Sequence, residues 1–147
     1  MNVNQSIIIS VMKKISTLIA FIVCCMMAFG QGVHFEDLTL DEALAKAKAE
    51  NKLVFMDCYT SWCGPCNWMA TEIFPQKEAG DYFNPKFISV KYDMEKGEGP
   101  ALKKQYGVNA FPTLLFLNGD GELQHCIVGG MPAEELLKQA GLALDGQ

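Results

Sequence analysis

The protein has 147 residues, of which half are hydrophobic and a fifth are charged, a composition that fits one globular domain and excludes a disordered chain. All twelve basic residues are lysines, and 17 acidic residues bring the net charge to −5. A nucleic-acid-binding protein usually carries a basic patch with arginines that grip phosphates or guanines. The composition therefore argues against nucleic acid as a partner.

The first thirty residues have the pattern of a targeting segment. Two lysines precede the apolar run Ile15–Phe29, which ends among small residues. This pattern predicts a secretory signal peptide over residues 1–30, cleaved before Gln31, and an exported, periplasmic domain over 31–147. An uncleaved N-terminal membrane anchor is the alternative, although a membrane span needs about 20 apolar residues and this run is shorter. Whether the chain starts at Met1 or Met12 stays open.

Helices alternate with strands along residues 31–147. The first predicted elements are a helix over 40–50, opened by a capping box of Thr39 and Glu42, a buried strand over 53–56, a helix from Cys63 to about Phe74 and a strand over 87–90. There follow a helix from Pro100 to about Tyr106, a strand over 113–117, a hairpin turn over 118–121, a strand over 123–128 and a helix from Pro132 to about Ala143. This order predicts one α/β domain, with a mixed central sheet flanked by helices on both faces.

A C-x-x-C motif, Cys63 to Cys66, stands at the predicted start of the helix that follows the first strand. The free N–H groups of a helix start carry a partial positive charge, which favours the thiolate form of a cysteine there. Pro65 is compatible with the first helical turn, where the N–H groups have no helical partner. We expect Cys63 to be exposed and to act as the nucleophile, and Cys66 to be covered and to resolve the mixed disulfide.

The motif is also compatible with a structural disulfide or with a zinc site. A structural disulfide is common in exported proteins, although a loop this tight is easily reduced. A zinc site needs four ligands, and His125 and Cys126 are the only further candidates. The sequence thus favours redox chemistry and predicts no metal.

Asp57 and the segment Phe111-Pro112-Thr113 are the candidate supports of the motif. Asp57 is predicted to end the first buried strand, where burial would raise its pKa and allow it to exchange a proton with Cys66. Its alternative role is to stabilise the loop with ordinary hydrogen bonds. Pro112 stands directly before a strand and is a candidate for a cis peptide bond, although only about 5% of X–Pro bonds are cis.

Together these residues resemble the thioredoxin family. The resemblance rests on Trp62-Cys63-Gly64-Pro65-Cys66, on Asp57 six residues earlier, on Phe111-Pro112-Thr113, and on Gly129-Gly130 before the last helix. It implies a thioredoxin fold and thiol–disulfide exchange without a cofactor. In that fold the strand of Cys58 is central and the strand of Cys126 lies two places away at the edge, too far for a disulfide, so both are expected to be free thiols. The alternative for Cys126 is a regulatory or intermolecular thiol. It also implies that Pro112 is cis and faces the cysteine pair, that the backbone beside it binds the substrate peptide as an added strand, and that Lys91 assists Asp57.

Two departures from the usual family pattern concern the partner rather than the chemistry. Asn67 stands where a lysine is common, and Tyr59 where a tryptophan is usual. Residues 71–85 and 93–99 resemble exported thioredoxin-like proteins and the soluble domains of transmembrane thiol reductases. The direction of electron flow is therefore open.

Three hypotheses about function follow. The first is an exported reductase, or an electron relay, that acts on disulfides of exported proteins and is recharged by an upstream thiol reductase, which the resemblance allows to be membrane-bound. The second is a periplasmic disulfide oxidase or isomerase. The third is a binding module whose C-x-x-C pair is only structural. The acidic domain, which shows no obvious exposed apolar face, is expected to be a monomer.

Overall fold

The computed structural model describes residues 31–146, together with positions 5, 9, 11 and 12. The predicted signal peptide over 1–30 therefore lies largely outside the described residues, and its cleavage stays a prediction. Among the residues that are described, no helix is both long and apolar enough to cross a membrane.

Five α-helices and four strands make up the described domain. In chain order they are α1 (Leu40–Glu50), β1 (Leu53–Tyr59), α2 (Gly64–Trp68), a π-helical turn (Met69–Ile73), α3 (Lys77–Phe83), β2 (Phe87–Asp93), α4 (Gly99–Gln105), β3 (Thr113–Leu117), β4 (Leu123–Val128) and α5 (Ala133–Asp145). The predicted α/β class is confirmed.

The four strands form one mixed sheet in the order β2-β1-β3-β4. Strand β1 runs parallel to β2 and antiparallel to β3, and β4 runs antiparallel to β3. Because β1 pairs on both sides, Asp57 lies opposite Lys91 of β2 and Leu114 of β3. The middle of β1 is therefore the centre of the sheet.

Alternate side chains of β1 enter two separate cores. Val54, Met56 and Cys58 join the buried residues of α1 and α4 on one face of the sheet. Leu53 and Phe55 join the π-helical turn, α3 and α5 on the other, where the Phe55 ring meets further phenylalanine rings. A strand that is apolar on both faces needs helices on both faces, which is the predicted layer arrangement.

The capping box predicted at the start of α1 is present. The Thr39 N–H donates to Oε2 of Glu42 (2.8 Å), and the Glu42 N–H donates to Oγ1 of Thr39 (3.3 Å). These two bonds satisfy N–H groups that the helix itself leaves free.

The predicted element boundaries were wrong in four places. Strand β1 continues to Tyr59 and β2 to Asp93, because ladder pairing carries both strands past their apolar runs. The helix predicted from Cys63 to Phe74 changes at Met69 into a π-helical turn. Helix α3 was not predicted: Pro75 and Pro85 flank its segment and Gly80 lies within it, and these residue types are unfavourable for a helix.

Candidate active site

Cys63 and Cys66 form a disulfide at the start of α2, with an S–S distance of 2.15 Å and Cα atoms 5.3 Å apart. Cys63 is the N-cap residue of α2, and its Sγ accepts a hydrogen bond from the Cys66 N–H (3.2 Å). The next residues, Gly64 and Pro65, form the first turn and are exposed.

The expectation that Cys63 is exposed was wrong for this disulfide form. Both cysteines are buried to the same extent, each with 4% of its surface exposed. The reason is that the Cys63 sulfur is bonded to Cys66 and turned back over the first turn of α2. The predicted difference in solvent exposure between the two sulfurs is therefore to be tested in the reduced protein.

Trp62 precedes the disulfide and is held at the surface by two contacts. Its side chain is 66% exposed. Its Nε1 donates to Oε1 of Glu95 (3.1 Å), and its ring meets that of Phe111 edge-on, with centroids 6.0 Å apart. The second contact brings the residue before Cys63 next to the residue before Pro112. Sequence reasoning missed Glu95, which lies in the loop after β2 in a segment without any motif.

The Phe111–Pro112 peptide bond is cis. The Pro112 carbonyl accepts a hydrogen bond from the Gly129 N–H (2.8 Å), and Gly129 has a φ of +101°, which favours glycine. Thr113 is buried, and its Oγ1 donates to the Ala110 carbonyl (2.7 Å). Pro112 and Thr113 at the start of β3 and Gly129 after β4, all part of the family resemblance, therefore meet at one corner of the sheet.

The prediction that Asp57 ends its strand was wrong. Asp57 lies within β1 and is paired on both sides. Only 4% of the residue is exposed, and its Oδ1 has no hydrogen-bond partner. Burial raises the pKa of the carboxyl from its ordinary value of 3.8 to about 7, and the charge of Lys91 partly opposes that rise. Lys91 itself is exposed, with its Nζ 5.6 Å from the centroid of the Phe35 ring.

A pocket of about 220 Å³ adjoins Asp57 and Lys91. One of its walls is Ala70, four residues after Cys66 in the same continuous helical segment. The described residues thus hold a redox-capable disulfide, a cis-proline corner that the Trp62–Phe111 contact joins to it, and a buried carboxyl beside a pocket.

Comparison with known proteins decides the family. Residues 40–142 match the family model described as a thioredoxin-like domain. The chain belongs to the thioredoxin family. Thioredoxin 2 of Chlorobaculum tepidum is 32% identical over 108 residues, which is 74% of this chain and 93% of that protein. Chloroplastic thioredoxin Y of Oryza sativa is 32% identical over 107 residues, which is 73% of this chain but only 58% of the rice protein.

Solved structures agree with this family and with its fold. A solution structure from Bacteroides thetaiotaomicron, described as that of a candidate disulphide-isomerase, is 47% identical, has a TM-score of 0.70 and covers 82% of this chain and 99% of its own. A Thermus thermophilus thioredoxin, 23% identical with a TM-score of 0.66 over 80% of this chain and 90% of its own, shows the same fold. The protein is a thioredoxin-like thiol–disulfide oxidoreductase, and Cys63–Cys66 is its C-x-x-C disulfide.

The other two cysteines of the domain are free, as predicted. Cys58 is buried on the opposite face of β1 from Asp57, and Cys126 is exposed on β4. The neighbouring His125 uses its Nε2 in a hydrogen bond with Gln139 (2.7 Å). Within the described domain, these residues therefore do not join Cys63 and Cys66 in a set of metal ligands.

Proposed function

We propose that this protein is an exported oxidoreductase that reduces disulfides of other exported proteins, or relays electrons to them. One observation carries the proposal: the Cys63–Cys66 disulfide lies at a helix start, and Trp62 before it contacts Phe111 of the cis Phe111–Pro112 bond. The buried, unpartnered carboxyl of Asp57 in the central strand supports it. The apolar run of the first thirty residues supports export to the periplasm.

Cys63 is the nucleophile and Cys66 the resolving residue in the proposed reaction. In the reduced protein the Cys63 thiolate attacks one sulfur of a substrate disulfide, and the other substrate sulfur leaves as a thiolate. The Cys66 thiolate then attacks the Cys63 sulfur and releases the first substrate sulfur. Two electrons pass to the substrate, the Cys63–Cys66 disulfide forms, and no cofactor takes part.

Asp57 accepts the proton of the Cys66 thiol and later returns it. A carboxyl with a pKa of about 7 is protonated in a large part of the molecules at neutral pH, so it serves in both directions. Lys91, which pairs with Asp57 between β1 and β2, favours the ionised form of the Asp57 carboxyl and so opposes the effect of burial.

The substrate peptide binds at the corner formed by the cis bond. Phe111, Pro112 and Thr113 position its extended backbone, and the exposed Trp62 adds an apolar surface beside the disulfide. An upstream thiol reductase, membrane-bound or not, restores the two thiols after each turnover. The protein acts as a monomer in this scheme.

A second candidate function, disulfide isomerisation or oxidation, is favoured by one specific observation. The Bacteroides thetaiotaomicron structure described as that of a candidate disulphide-isomerase is 47% identical to this chain. Both functions use the same pair of cysteines, and they differ in the reduction potential of that pair.

Equilibration with glutathione buffers separates the two. For a reductase we expect a potential near the roughly −270 mV of thioredoxin itself, and for an isomerase or oxidase a value between about −180 and −120 mV. The unaltered protein and a Cys126→Ser control should give the same value, because Cys126 lies outside the redox pair. A potential above about −200 mV would overturn the reductase proposal.

Trapping identifies the substrates and tests export. Cys66→Ser, purified from the periplasm of the native cells, should hold exported proteins by disulfides to Cys63, whereas a Cys63→Ser/Cys66→Ser control should hold none. Partners found only in the cytoplasm would contradict the proposed location.

A further inference from the structure

Residues 31–36, which we name the strap, lie along the domain between α3 and the edge of β2. The Val33 N–H donates to the Phe74 carbonyl (2.7 Å), and the Glu36 N–H donates to the Ser89 carbonyl (2.8 Å). Phe35 forms a parallel bridge with Ser89, so the strap continues the sheet by one short contact.

The side chain of Asn84 holds the middle of the strap. Its Oδ1 accepts from the His34 N–H (2.9 Å), and its Nδ2 donates to the Gly32 carbonyl (3.0 Å). One amide side chain therefore satisfies two backbone groups of the strap, on either side of Val33.

Two glycines allow the strap to approach this closely. A Cβ atom on Gly80 of α3 would lie 2.3 Å from the Gly32 carbonyl oxygen, and a Cβ on Gly32 would lie 2.6 Å from the Phe74 carbonyl oxygen. Gly32 also has a φ of +89°, a conformation that other residues rarely adopt. Neither position accepts a side chain while the strap is seated.

The strap forms one wall of the pocket beside Asp57. Gln31, Val33 and Phe35 line it on that side, and none of them carries a charge. The charged or titratable groups near Asp57 are Lys91 of β2, which lines the same pocket, and the adjacent Cys58 thiol of β1, which lies on the opposite face of the strand. The strap's contribution to the pocket is therefore to exclude water rather than to add charge.

We propose that the strap is a displaceable wall that controls how much water reaches Asp57, which makes Gly32, Gly80 and Asn84 positioning residues for proton transfer at the disulfide. This inference rests on the proposed function only in giving Asp57 a proton to move. With the strap seated, Asp57 has only 4% of its surface exposed although the pocket beside it opens to solvent, so little water stabilises the charge of the carboxyl. With the strap displaced, water enters the pocket, solvates the carboxylate, and lowers the pKa of Asp57 towards the ordinary value.

Gly80→Ala is the sharpest test, because alanine is the better helix former and the three atoms nearest to its Cβ all belong to Gly32 of the strap. Gly141→Ala is the matched control: it is also a helical glycine, and its Cβ would meet only the far end of the Tyr82 side chain at 3.3 Å. Both variants are compared with the unaltered protein in the oxidised state, where the paired thiols do not titrate.

Two readouts are taken on these oxidised proteins. Amide hydrogen exchange at Val33 and Glu36 reports the seating of the strap, and the carboxyl ¹³C signal of Asp57 reports its titration. For Gly80→Ala we expect exchange at both amides to rise at least tenfold and the pKa of Asp57 to fall by about one unit. Gly141→Ala should change neither.

Asn84→Ala is a second test variant. It removes the amide that bonds to the strap and adds no atoms between Gly32 and Gly80. It should also raise the exchange of the two amides and lower the pKa of Asp57, by less than Gly80→Ala does. Unchanged exchange in both variants would overturn the assigned seating contacts, and faster exchange with an unchanged titration of Asp57 would overturn its role as a wall. Neither readout involves turnover, so a failure of the proposed reductase function would appear separately, in the reduction potential.

Discussion

Asp57 and Cys58 are consecutive residues of one strand whose surroundings differ completely. The Asp57 carboxyl faces a pocket of about 220 Å³ that opens to solvent beside Lys91. The Cys58 thiol, with none of its surface exposed, lies among the aliphatic side chains under α1 and α4. Burial raises the pKa of both groups. Burial alone therefore does not make a group reactive: an acid takes part in proton exchange only where it also has a route to solvent and a partner.

The same contrast separates the two kinds of cysteine in the domain. The pKa of the Cys58 thiol is raised by burial and further by the charge of Asp57, so it stays protonated and unreactive. Cys63 lies at a helix start, where free N–H groups favour a thiolate. Substitutions on the two sides of β1 should therefore have very different consequences.

The largest effect is expected from substituting the two kinds of cysteine in parallel. Cys63→Ser should reduce disulfide reduction to the rate of the buffer, because the sulfur that forms the mixed disulfide is gone. Cys58→Ala should keep the full rate and lose on the order of 1 kcal/mol of unfolding free energy, from the small cavity it leaves. Insulin reduction and urea unfolding measure the two quantities. A slow Cys58→Ala variant of normal stability would contradict the separation of the two faces.

Asp57→Asn should slow turnover by about ten- to a hundredfold at neutral pH, since the amide keeps the shape but cannot move a proton. The control for a folding defect is a matched substitution on the neighbouring strand, Ser89→Ala, which removes another buried unpartnered oxygen and should leave the rate unchanged. Steady-state rates across the neutral pH range measure this. An Asp57→Asn variant with an unaltered rate and pH profile would exclude the proton-transfer role.

The difference in stability between Asp57→Asn and the unaltered protein should depend on pH in a defined direction. The folded-state pKa of Asp57 is raised from 3.8 to about 7, so between these values the folded protein holds a proton that the unfolded chain has lost. Stability of the unaltered protein therefore falls as pH rises through this window and levels off above it, at a cost of up to about 4 kcal/mol. Above the window, Asp57→Asn should be more stable than the unaltered protein by up to that amount.

The control for this prediction is the acidic end of the range. Once the pH falls below 3.8, the carboxyl is protonated in both states, so the advantage of Asp57→Asn should nearly vanish. Urea unfolding at several pH values gives the curve. An advantage that does not change with pH would mean that the variant acts through packing, not through ionisation.

The sequence predicted the fold class and the family because the informative signals are local. Apolar runs, the capping box at Thr39 and the C-x-x-C motif each depend on a few neighbouring residues. The strand ends at Tyr59 and Asp93 were missed because pairing with a distant strand decides them. The change to a π-helical turn at Met69 was missed as well, since no residue type marks it in the sequence.

The sequence named candidate residues of the site, but not the contacts that surround them in the fold. Cys66, Asp57 and Pro112 were named from the motif and the resemblance, whereas Glu95 reaches Trp62 from 33 positions away and no pattern announces it. The strap shows the same limit, because its contact between Gly32 and Gly80 joins segments that are unrelated in sequence. Contacts of this kind follow from the folded topology alone.

Lys91→Met should produce a smaller shift than the loss of Asp57. The Lys91 charge favours the ionised form of Asp57, so its removal should raise the pKa of the carboxyl by about half a unit to one unit. The effect is modest because Lys91 is exposed to water, which screens its charge. The carboxyl ¹³C titration of the oxidised protein measures it. Lys86→Met, at a lysine outside the pocket, is the control, and a fall in the pKa of Asp57 on Lys91→Met would reverse the assigned sign.

The smallest effect is expected at the two free cysteines, where oxidation of the protein should leave both unchanged. Strand β3 lies between Cys58 on β1 and Cys126 on β4, and neighbouring strands are about 4.8 Å apart. The two backbones are therefore separated by about 9 to 10 Å, whereas a disulfide needs Cα atoms within about 7 Å.

Alkylation of the folded protein should modify Cys126, which is exposed, and should reach Cys58 only after unfolding. Mass spectrometry of a non-reducing digest should find Cys63–Cys66 as the one bond of the domain. A Cys58–Cys126 bond would require the strand order to change, and with it the separation of the two faces of β1.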